Sequence, residues 1–373
     1  MSYAATNQSA AGFLVRGEPM KDFIYNSFPG RVIFGSGTLV RVRDELEQLG
    51  ATKALILSTL EQTREAELLR DRIGDKAVGI FNGARMHTPT DITEAAMTVV
   101  AETGADSVIA LGGGSTIGLG KAIAWRTDLP QIVIPTTYAG SEATPILGET
   151  ANGVKTTRSS PKILPEVIIY DVDLTKTLPL GMTVTSGINA IAHAVEGLYS
   201  QQANPVISLI AQEGVRALIS SLPRLKSDSR DTRARADALY GAWLCGTTLG
   251  AVGMALHHKL CHTLGGTFDL PHAQTHTVIL PHALAYNAPY AKNAVSRLSV
   301  AMGCDDPALA LFDLAKSLDA PTALRDLGMP REGLERVIEL TFANPYWNPA
   351  PLDRNRLRGC LDRAWEGLPP RPD

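Results

Sequence analysis

"SVIALGGGSTIGLGKAIAW", residues 107–125, passes from an apolar β-branched run through three glycines into small hydroxyl residues and then a helical pattern. A strand, a glycine turn and a helix in that order make the phosphate-binding unit of nucleotide-binding α/β folds. Gly112, Gly113 and Gly114 let the backbone take unusual φ/ψ and come close to a ligand. The start of the following helix offers N–H groups and the positive end of a dipole, which suits a pyrophosphate. Ser115 is placed to cap that helix. The glycines satisfy neither GxGxxG nor Walker A, since Gly120-Lys121 is followed by Ala122. Alone, they fit a bare structural turn as well. The next apolar run tips the reading. "QIVIPTTYAGSEATP", residues 131–145, carries Thr136, Thr137 and Ser141 on another glycine-containing loop. Two strands ending in small hydroxyl and glycine loops predict a nucleotide crevice at the C-terminal ends of a parallel sheet.

The surrounding pattern agrees. "RVIFG" (31–35), "KALILS" (53–58), "AVGIFNG" (77–83) and "VIIYDVDL" (167–174) read as further strands. Between them "TLVRVRDELEQLG" (38–50), "TREAELLRDRI" (63–73), "DITEAAMTVVAETG" (91–104) and "TIGLGKAIAWR" (116–126) read as helices. Strand–helix alternation predicts an α/β Rossmann-like domain with a parallel sheet covered on both faces. After "TLPLGMTVTSG" (177–187) strand signals nearly vanish. Helical patterns run over 183–200, 205–222, 230–263, 292–302, 306–317, 321–327, 331–342 and 351–366. The expected organisation is a disordered tail over 1–19, a dinucleotide-binding domain over 20–180 and an all-helical domain over 181–373.

Composition excludes several classes. The chain has 373 residues, is 45% hydrophobic and 20% charged, and carries a net charge of −3. With no basic run, neither nucleic acid nor an anionic membrane has electrostatic support. Cys245, Cys261, Cys304 and Cys360 form no CxxC, which suits a reducing cytoplasm. The N-terminal residues lack the basic start and apolar run of a signal peptide. Ala238 to Leu256 holds no charge over 19 residues and has Gly246 and Gly250 in GxxxG spacing. Its threonines and glycines favour a buried central helix over a membrane span.

Histidines mark the chemistry. In "GINAIAHAVEG", residues 187–197, Asn189 and His193 lie four apart on one helical face of an apolar stretch. In "HHKLCHTLGGTFDLPHAQTHT", residues 257–277, His258 and His262 share a face of the apolar helix. His272 returns after a Gly-Gly break and a proline. A single such histidine is more often a satisfied core residue. Four with Asn189 point to a site. His257 and His276 read as surface residues or as supports behind it, and His87 as a lone loop residue.

"GGGST", "PTTYAGSE", "NAIAHAVE" and "HHKLCHTLGGTFDLPHAQ" together resemble the iron-containing alcohol dehydrogenase family over residues 22–370. The resemblance implies a dehydroquinate synthase-like fold, with the active site in the cleft between the two domains, and a homodimer. It implies that Gly113, Gly114 and Ser115 meet the cofactor phosphates while Thr136, Thr137 and Ser141 line the crevice. The family's metal is held by an Asp and three His. The Asp falls on Asn189, the three His on His193, His258 and His272, and a further active-site His on His262. The Asp expected after the GGGS serine is Gly118. "FIYNSFPGRVIFGSGTL", "VKTTRSSPKILPEVIIYD" and "LPHALAYNAP" resemble one branch, which reduces maleylacetate to 3-oxoadipate in bacterial breakdown of resorcinol and chlorinated aromatics.

That branch implies NADH- or NADPH-dependent reduction of a conjugated C=C bond in a small dicarboxylate. His193, His258 and His272 are then expected to bind substrate and stabilise charge, with His262 delivering the proton. Lys155 and Arg158 are candidates for the substrate carboxylates, and Lys155 also matches a family position near the cofactor. Thr59 stands where the family has an Asp, so Ser58 and Thr59 present no carboxylate to repel NADPH. Asn189 lacks the charge of Asp, so the expected enzyme works without a metal. A metal-dependent alcohol dehydrogenase of the same family is the rival reading.

Overall fold

The computed structural model describes residues 22–27, 30–151 and 154–372. The predicted tail over 1–19, and Met20 at the predicted domain start, lie outside the described residues. In chain order the elements are β1 (Arg31–Gly35), α1 (Val42–Gln48), β2 (Ala54–Leu57), α2 (Thr63–Ile73), β3 (Ala77–Phe81), α3 (Thr90–Thr103), β4 (Ser107–Gly112), α4 (Gly114–Thr127), β5 (Gln131–Pro135), β6 (Ile146–Ala151), β7 (Val154–Ser159) and β8 (Val167–Asp171). Then come α5 (Leu180–Tyr199), α6 (Pro205–Ser227), α7 (Thr232–Ala251), α8 (Leu256–Phe268), α9 (His272–Asn287), α10 (Lys292–Met302), α11 (Pro307–Ser317), α12 (Gly333–Ala343) and α13 (Arg354–Glu366).

Six strands form one parallel sheet in the order β1-β8-β5-β4-β2-β3. Its inner strands are buried and largely apolar because both faces are covered. Side chains alternate between the faces. Ile56, Ile109, Ile132 and Ile169 pack with Leu46 of α1 and Leu69 of α2. Leu55, Leu57 and Val108 pack on the other face with Ala96 of α3 and Leu119 and Ile123 of α4. Gly112 pairs in register with Pro135, and Thr136 N–H donates to Gly112 C=O at 3.0 Å. The two glycine-containing loops therefore stand side by side at the C-terminal edge of the sheet. The α/β domain is followed by a helical domain built around α5, which is buried from Thr183 to Tyr199.

Four local expectations are corrected. β6 and β7, an antiparallel hairpin, carry no apolar alternation and were not expected as strands. The helix expected over 230–263 is two helices, α7 and α8, meeting at 95° across a break that contains Gly253. His258 and His262 consequently sit on a helix of their own. Gly265 and Gly266 lie inside α8 and do not break it, and α9 is a helix the sequence reading lacked, because Pro281 in its interior reads as a stop. The stretch expected as a helix over 321–327 holds a 3₁₀ turn over Leu324–Leu327.

Among the described residues no single helix is long and apolar enough to cross a membrane. The GxxxG spacing has a different use. A Cβ at Gly250 would lie 2.8 Å from Ala143 O, and one at Gly246 would strike the backbone of Gly140. The two glycines form a groove on α7 that receives the loop after β5, joining the domains.

Candidate active site

Gly112 has φ 153° and Gly113 is the N-cap of α4, so the chain turns sharply into the helix. A Cβ on Gly113 would crowd Thr137 Cγ2 at 2.9 Å, whereas one on Gly114 would meet nothing within 4 Å. The space over Gly114 is an open bed at a helix N-terminus, and it fits a pyrophosphate. Ser115 is inside the helix and makes no capping bond, contrary to expectation. Thr136 Oγ1 accepts from Gln62 Nε2 at 3.0 Å, which ties the loop after β2 to the loop after β5. Ser141 Oγ is buried with no hydrogen-bond partner among the described residues.

The fully buried Lys121 of α4 donates to Ser141 C=O, to Thr144 C=O (2.7 Å) and Oγ1 (2.9 Å), and to Ile146 C=O (3.0 Å). Burial pushes its pKa down to about 7, against the opposing pull of Glu142. Burial raises the Glu142 carboxyl, which accepts from Tyr170 OH at 2.9 Å. This lysine fixes the second loop to the helix that would hold the phosphates.

Thr59 stands at the N-terminal boundary of the turn that follows β2 and makes no side-chain capping bond. Ser58 and Thr59 themselves carry no carboxylate, but one stands close by in the same turn. Glu61 lies two residues on, and hydrogen bonds from its own backbone N–H and from the Thr59 side chain lower its pKa. Lys155 pairs through its backbone with Thr150 in the hairpin, but its side chain lies outside the described residues. Arg158 lines a recess of 390 Å³ with Gln202, Gly250 and Gly253. Its guanidinium sits 5.3 Å over the Trp125 ring and 3.9 Å from Glu149 Oε2, so its charge is already engaged.

The histidines converge from three helices. The rings of His193 (α5) and His258 (α8) stack with centroids 5.2 Å apart. His262, also on α8, is exposed and lies 5.9 Å from His258. His272 of α9 is 4.3 Å from His276, whose ring is 5.0 Å from His258. Burial first, then His258, His272 and His262, hold the pKa of His193 well below the usual histidine value. Asn189, one turn before His193, is buried with Oδ1 unpartnered among the described residues.

Behind this row lies a second one. His257 and His276 are fully buried, so the surface alternative for them fails. His257 Nε2 is 2.9 Å from His276 Nδ1 and 3.7 Å from Cys261 Sγ. Burial first, then the neighbouring imidazoles, keeps both histidines well below their usual pKa.

Two groups that the sequence reading missed organise the site. Glu196 of α5 is fully buried. Its carboxylate accepts from the N–H of Ala255 (2.8 Å), His257 (2.7 Å) and His258 (3.3 Å), and lies 2.7 Å from His258 Nδ1. It caps α8 from another helix and holds the His258 ring by Nδ1, leaving Nε2 buried and without a hydrogen-bond partner among the described residues. Its spacing of three from His193 on a buried helix was the available signal. Tyr346, 84 residues beyond His262, places its OH 3.1 Å from His262 Nδ1, and Lys259 Nζ lies 5.6 Å from the centre of its ring. No local signal marks such a long-range contact.

Residues 29–172 match the family described as iron-containing alcohol dehydrogenase, and residues 183–365 match the C-terminal region of the same family. The maleylacetate reductase of Sphingobium indicum is 55% identical over 348 residues, covering 93% of this chain and 99% of that protein. The chain belongs to the iron-containing alcohol dehydrogenase family. The solved maleylacetate reductases of Agrobacterium tumefaciens and of Rhizobium sp. strain MTP-10005 each superpose with a TM-score of 0.91 at 53% identity, covering 94% of this chain and 100% of theirs. The chain lies on that branch of the family and is an NAD(P)H-dependent oxidoreductase.

The residues here fit the family's divalent cation poorly. The oxygen donor is the Asn189 amide, which is neutral, and the carboxylate nearest the imidazoles, Glu196, is engaged by the start of α8. A different group, His257, Cys261 and His276, brings three ligand atoms within 4.8 Å of one another. Metal-bound imidazoles usually donate their other nitrogen to a carboxylate or carbonyl. His257 Nδ1 and His276 Nε2 have no such partner among the described residues, and the direct contact between the rings reads as a hydrogen bond. The family's Asp after the GGGS serine also has no room to return, because a Cβ at Gly118 would collide with Thr88 Oγ1.

Proposed function

We propose that this enzyme reduces the C=C bond of maleylacetate to give 3-oxoadipate, using NADH or NADPH and no metal. The observation that carries the reading is the row of imidazoles beside a neutral Asn189, where the family expects a cation held by a carboxylate. When bound, the reduced nicotinamide supplies the hydride. The chain's own groups have three tasks. Gly113, Gly114 and Ser115 hold phosphate oxygens at the start of α4, and Thr136, Thr137 and Ser141 line the rest of the bed. His193, His258 and His272 surround the ketone. Hydride addition to the conjugated alkene moves charge onto the ketone oxygen, and N–H donors stabilise the resulting enolate. Burial keeps His193 neutral, so it acts there as a hydrogen-bond donor. His262 returns a proton to the carbon next to the ketone, and its exposure and contact with Tyr346 OH let solvent recharge it. Lys155 and Arg158, both on β7, are the candidates for one carboxylate, and Arg158 would exchange Glu149 for it.

The four free thiols support a cytoplasmic setting. The exposed apolar Phe23 and Ile24, with Phe34 on the edge strand β1, support a homodimer. The test is NADH oxidation with maleylacetate beside simple aldehydes, with and without a chelator, on protein of known metal content. Turnover of maleylacetate that survives chelation at well under one metal per chain is expected. Activity lost on chelation and restored by iron or zinc would replace this reading with a metal-dependent alcohol dehydrogenase. Asn189→Asp should raise metal affinity and lower maleylacetate turnover.

A further inference from the structure

Several lysines on this protein are held by partners. Lys162, Lys176 and Lys226 each meet an Asp within 3 Å, and Lys121 is wrapped by carbonyls. Lys259 is different. Its ammonium lies 5.6 Å over the ring of Tyr346, and among the described residues no carboxylate pairs with it. An aromatic face holds a cation in place without neutralising it. Lys259 follows His258 directly and precedes His262 by three, so it shares the α8 face that carries His262 to the cleft mouth. The Tyr346 ring joins the two, touching Lys259 with its face and His262 Nδ1 with its OH at 3.1 Å. Glu196, the acid nearest this end of α8, is engaged by the helix N-terminus. The result is an uncompensated positive charge at the rim of a row of imidazoles.

We propose that Lys259 is the substrate-anchoring residue on the helical side of the cleft, binding one carboxylate of a dicarboxylate substrate while Tyr346 OH supplies a second donor. This rests on the proposed dicarboxylate reduction. Lys259 fixes one end of the molecule three residues from His262 on α8, so the unsaturated carbons come to rest beside the histidines. The anchor touches no reacting atom. It binds ground state and transition state alike, and its loss acts on KM more than on kcat.

Lys259→Met should raise KM for maleylacetate by about 10²-fold, while KM for NADH and kcat stay within about threefold of native. Lys259→Arg should recover most of the loss. Raising the salt concentration should weaken substrate binding in the native enzyme and much less in Lys259→Met. Adipate, an unreactive dicarboxylate, separates this inference from the reaction itself. By calorimetry it should bind the NAD-loaded native enzyme and bind Lys259→Met about 10²-fold more weakly. If the native enzyme fails to reduce maleylacetate yet adipate binding still depends on Lys259, the proposed substrate falls and the anchor stands. If Lys259→Met keeps native KM and native adipate affinity, the anchor is overturned. Lys259→Met that melts early with unchanged affinity would overturn it too, assigning the lysine to packing against Tyr346.

Discussion

Replacing Glu196 by Gln removes one charge without changing shape, and the structure allows the consequence to be worked out. One carboxylate oxygen accepts from His257 N–H at 2.7 Å. The other serves Ala255 N–H at 2.8 Å, His258 N–H at 3.3 Å and His258 Nδ1 at 2.7 Å. Gln has a single oxygen. Facing it toward the larger set points the amide NH₂ at His257 N–H, donor against donor. The opposite flip leaves three donors facing an NH₂. Either way at least one buried N–H is unpaired, which costs about 1–3 kcal/mol. The start of α8 also loses its anion, a further ~1 kcal/mol. A loss of about 2–4 kcal/mol should follow, read as the difference in urea unfolding free energy by circular dichroism. Because the same carboxylate aims His258, kcat with maleylacetate should fall by at least about tenfold while KM for NADH holds. Glu196→Gln within about 0.5 kcal/mol of native stability and with native kcat would refute both the cap and the orienting role.

The other predictions concern separate parts of the molecule. Thr59→Asp should weaken NADPH selectively, and Glu61→Gln should improve it relative to NADH, both read as ratios of kcat/KM; native rejection of NADPH beyond about 10³-fold would contradict dual use. His262→Ala should lower kcat by about 10²–10⁴-fold with less effect on KM, and near-native kcat would move proton delivery to another group. Gly246→Ala should lower stability by about 1–3 kcal/mol in thermal melts, because the new methyl meets the backbone of Gly140 rather than a movable side chain. Burial, with Arg363, pushes the pKa of His282 down to about 3, so the folded state keeps it neutral while the unfolded chain binds a proton below about 6.5. Its contribution is complete above about pH 6.5 and fades as pH falls toward 3. His282→Leu should therefore flatten the acid limb of the stability curve by up to ~1.4 kcal/mol per pH unit, and an unchanged limb would refute the assignment.

Periodicity made the sheet legible because its inner strands are buried on both faces and read as unbroken apolar runs. It failed for the hairpin, whose residues Lys155, Thr156, Thr157 and Arg158 show no buried face in the sequence. It also failed at the α7–α8 corner. No charge or proline marks the turn at Gly253, and what bends the chain there is Glu196 collecting the N–H groups of Ala255, His257 and His258 from across the core. α9 was hidden for the opposite reason, since Pro281 is a local stop signal that tertiary packing overrides. Residues that face the cleft were easier to find than the groups that hold them. A histidine on an apolar face stands out, whereas its partner can lie anywhere in the chain, as Tyr346 does for His262.

Gly118 shows what a missing side chain can mean. By resemblance to the family it stands where an Asp is expected, and the departure reads in sequence as a simple loss. In the fold the space is occupied. Thr88, buried and held at φ 46° beside His87 at φ 66°, places its hydroxyl where a Cβ at 118 would sit. Two successive left-handed residues without a glycine are costly, and the β-branched threonine more so. Such a loop persists only when its surroundings fix it. Thr88 C=O accepts from Thr150 N–H of the hairpin at 3.2 Å, so the loop is pinned to the hairpin by its backbone and to α4 by its side chain. Gly118 and Thr88 thus form one packing unit. Restoring the family's Asp at 118 alone would expel Thr88 and disturb the hairpin that carries Lys155, without reproducing the family's site. The same logic governs Asn189. Its amide is neutral and buried, and Glu196, two turns further along α5, is engaged by the start of α8, so neither restores the anionic ligand of the family's site.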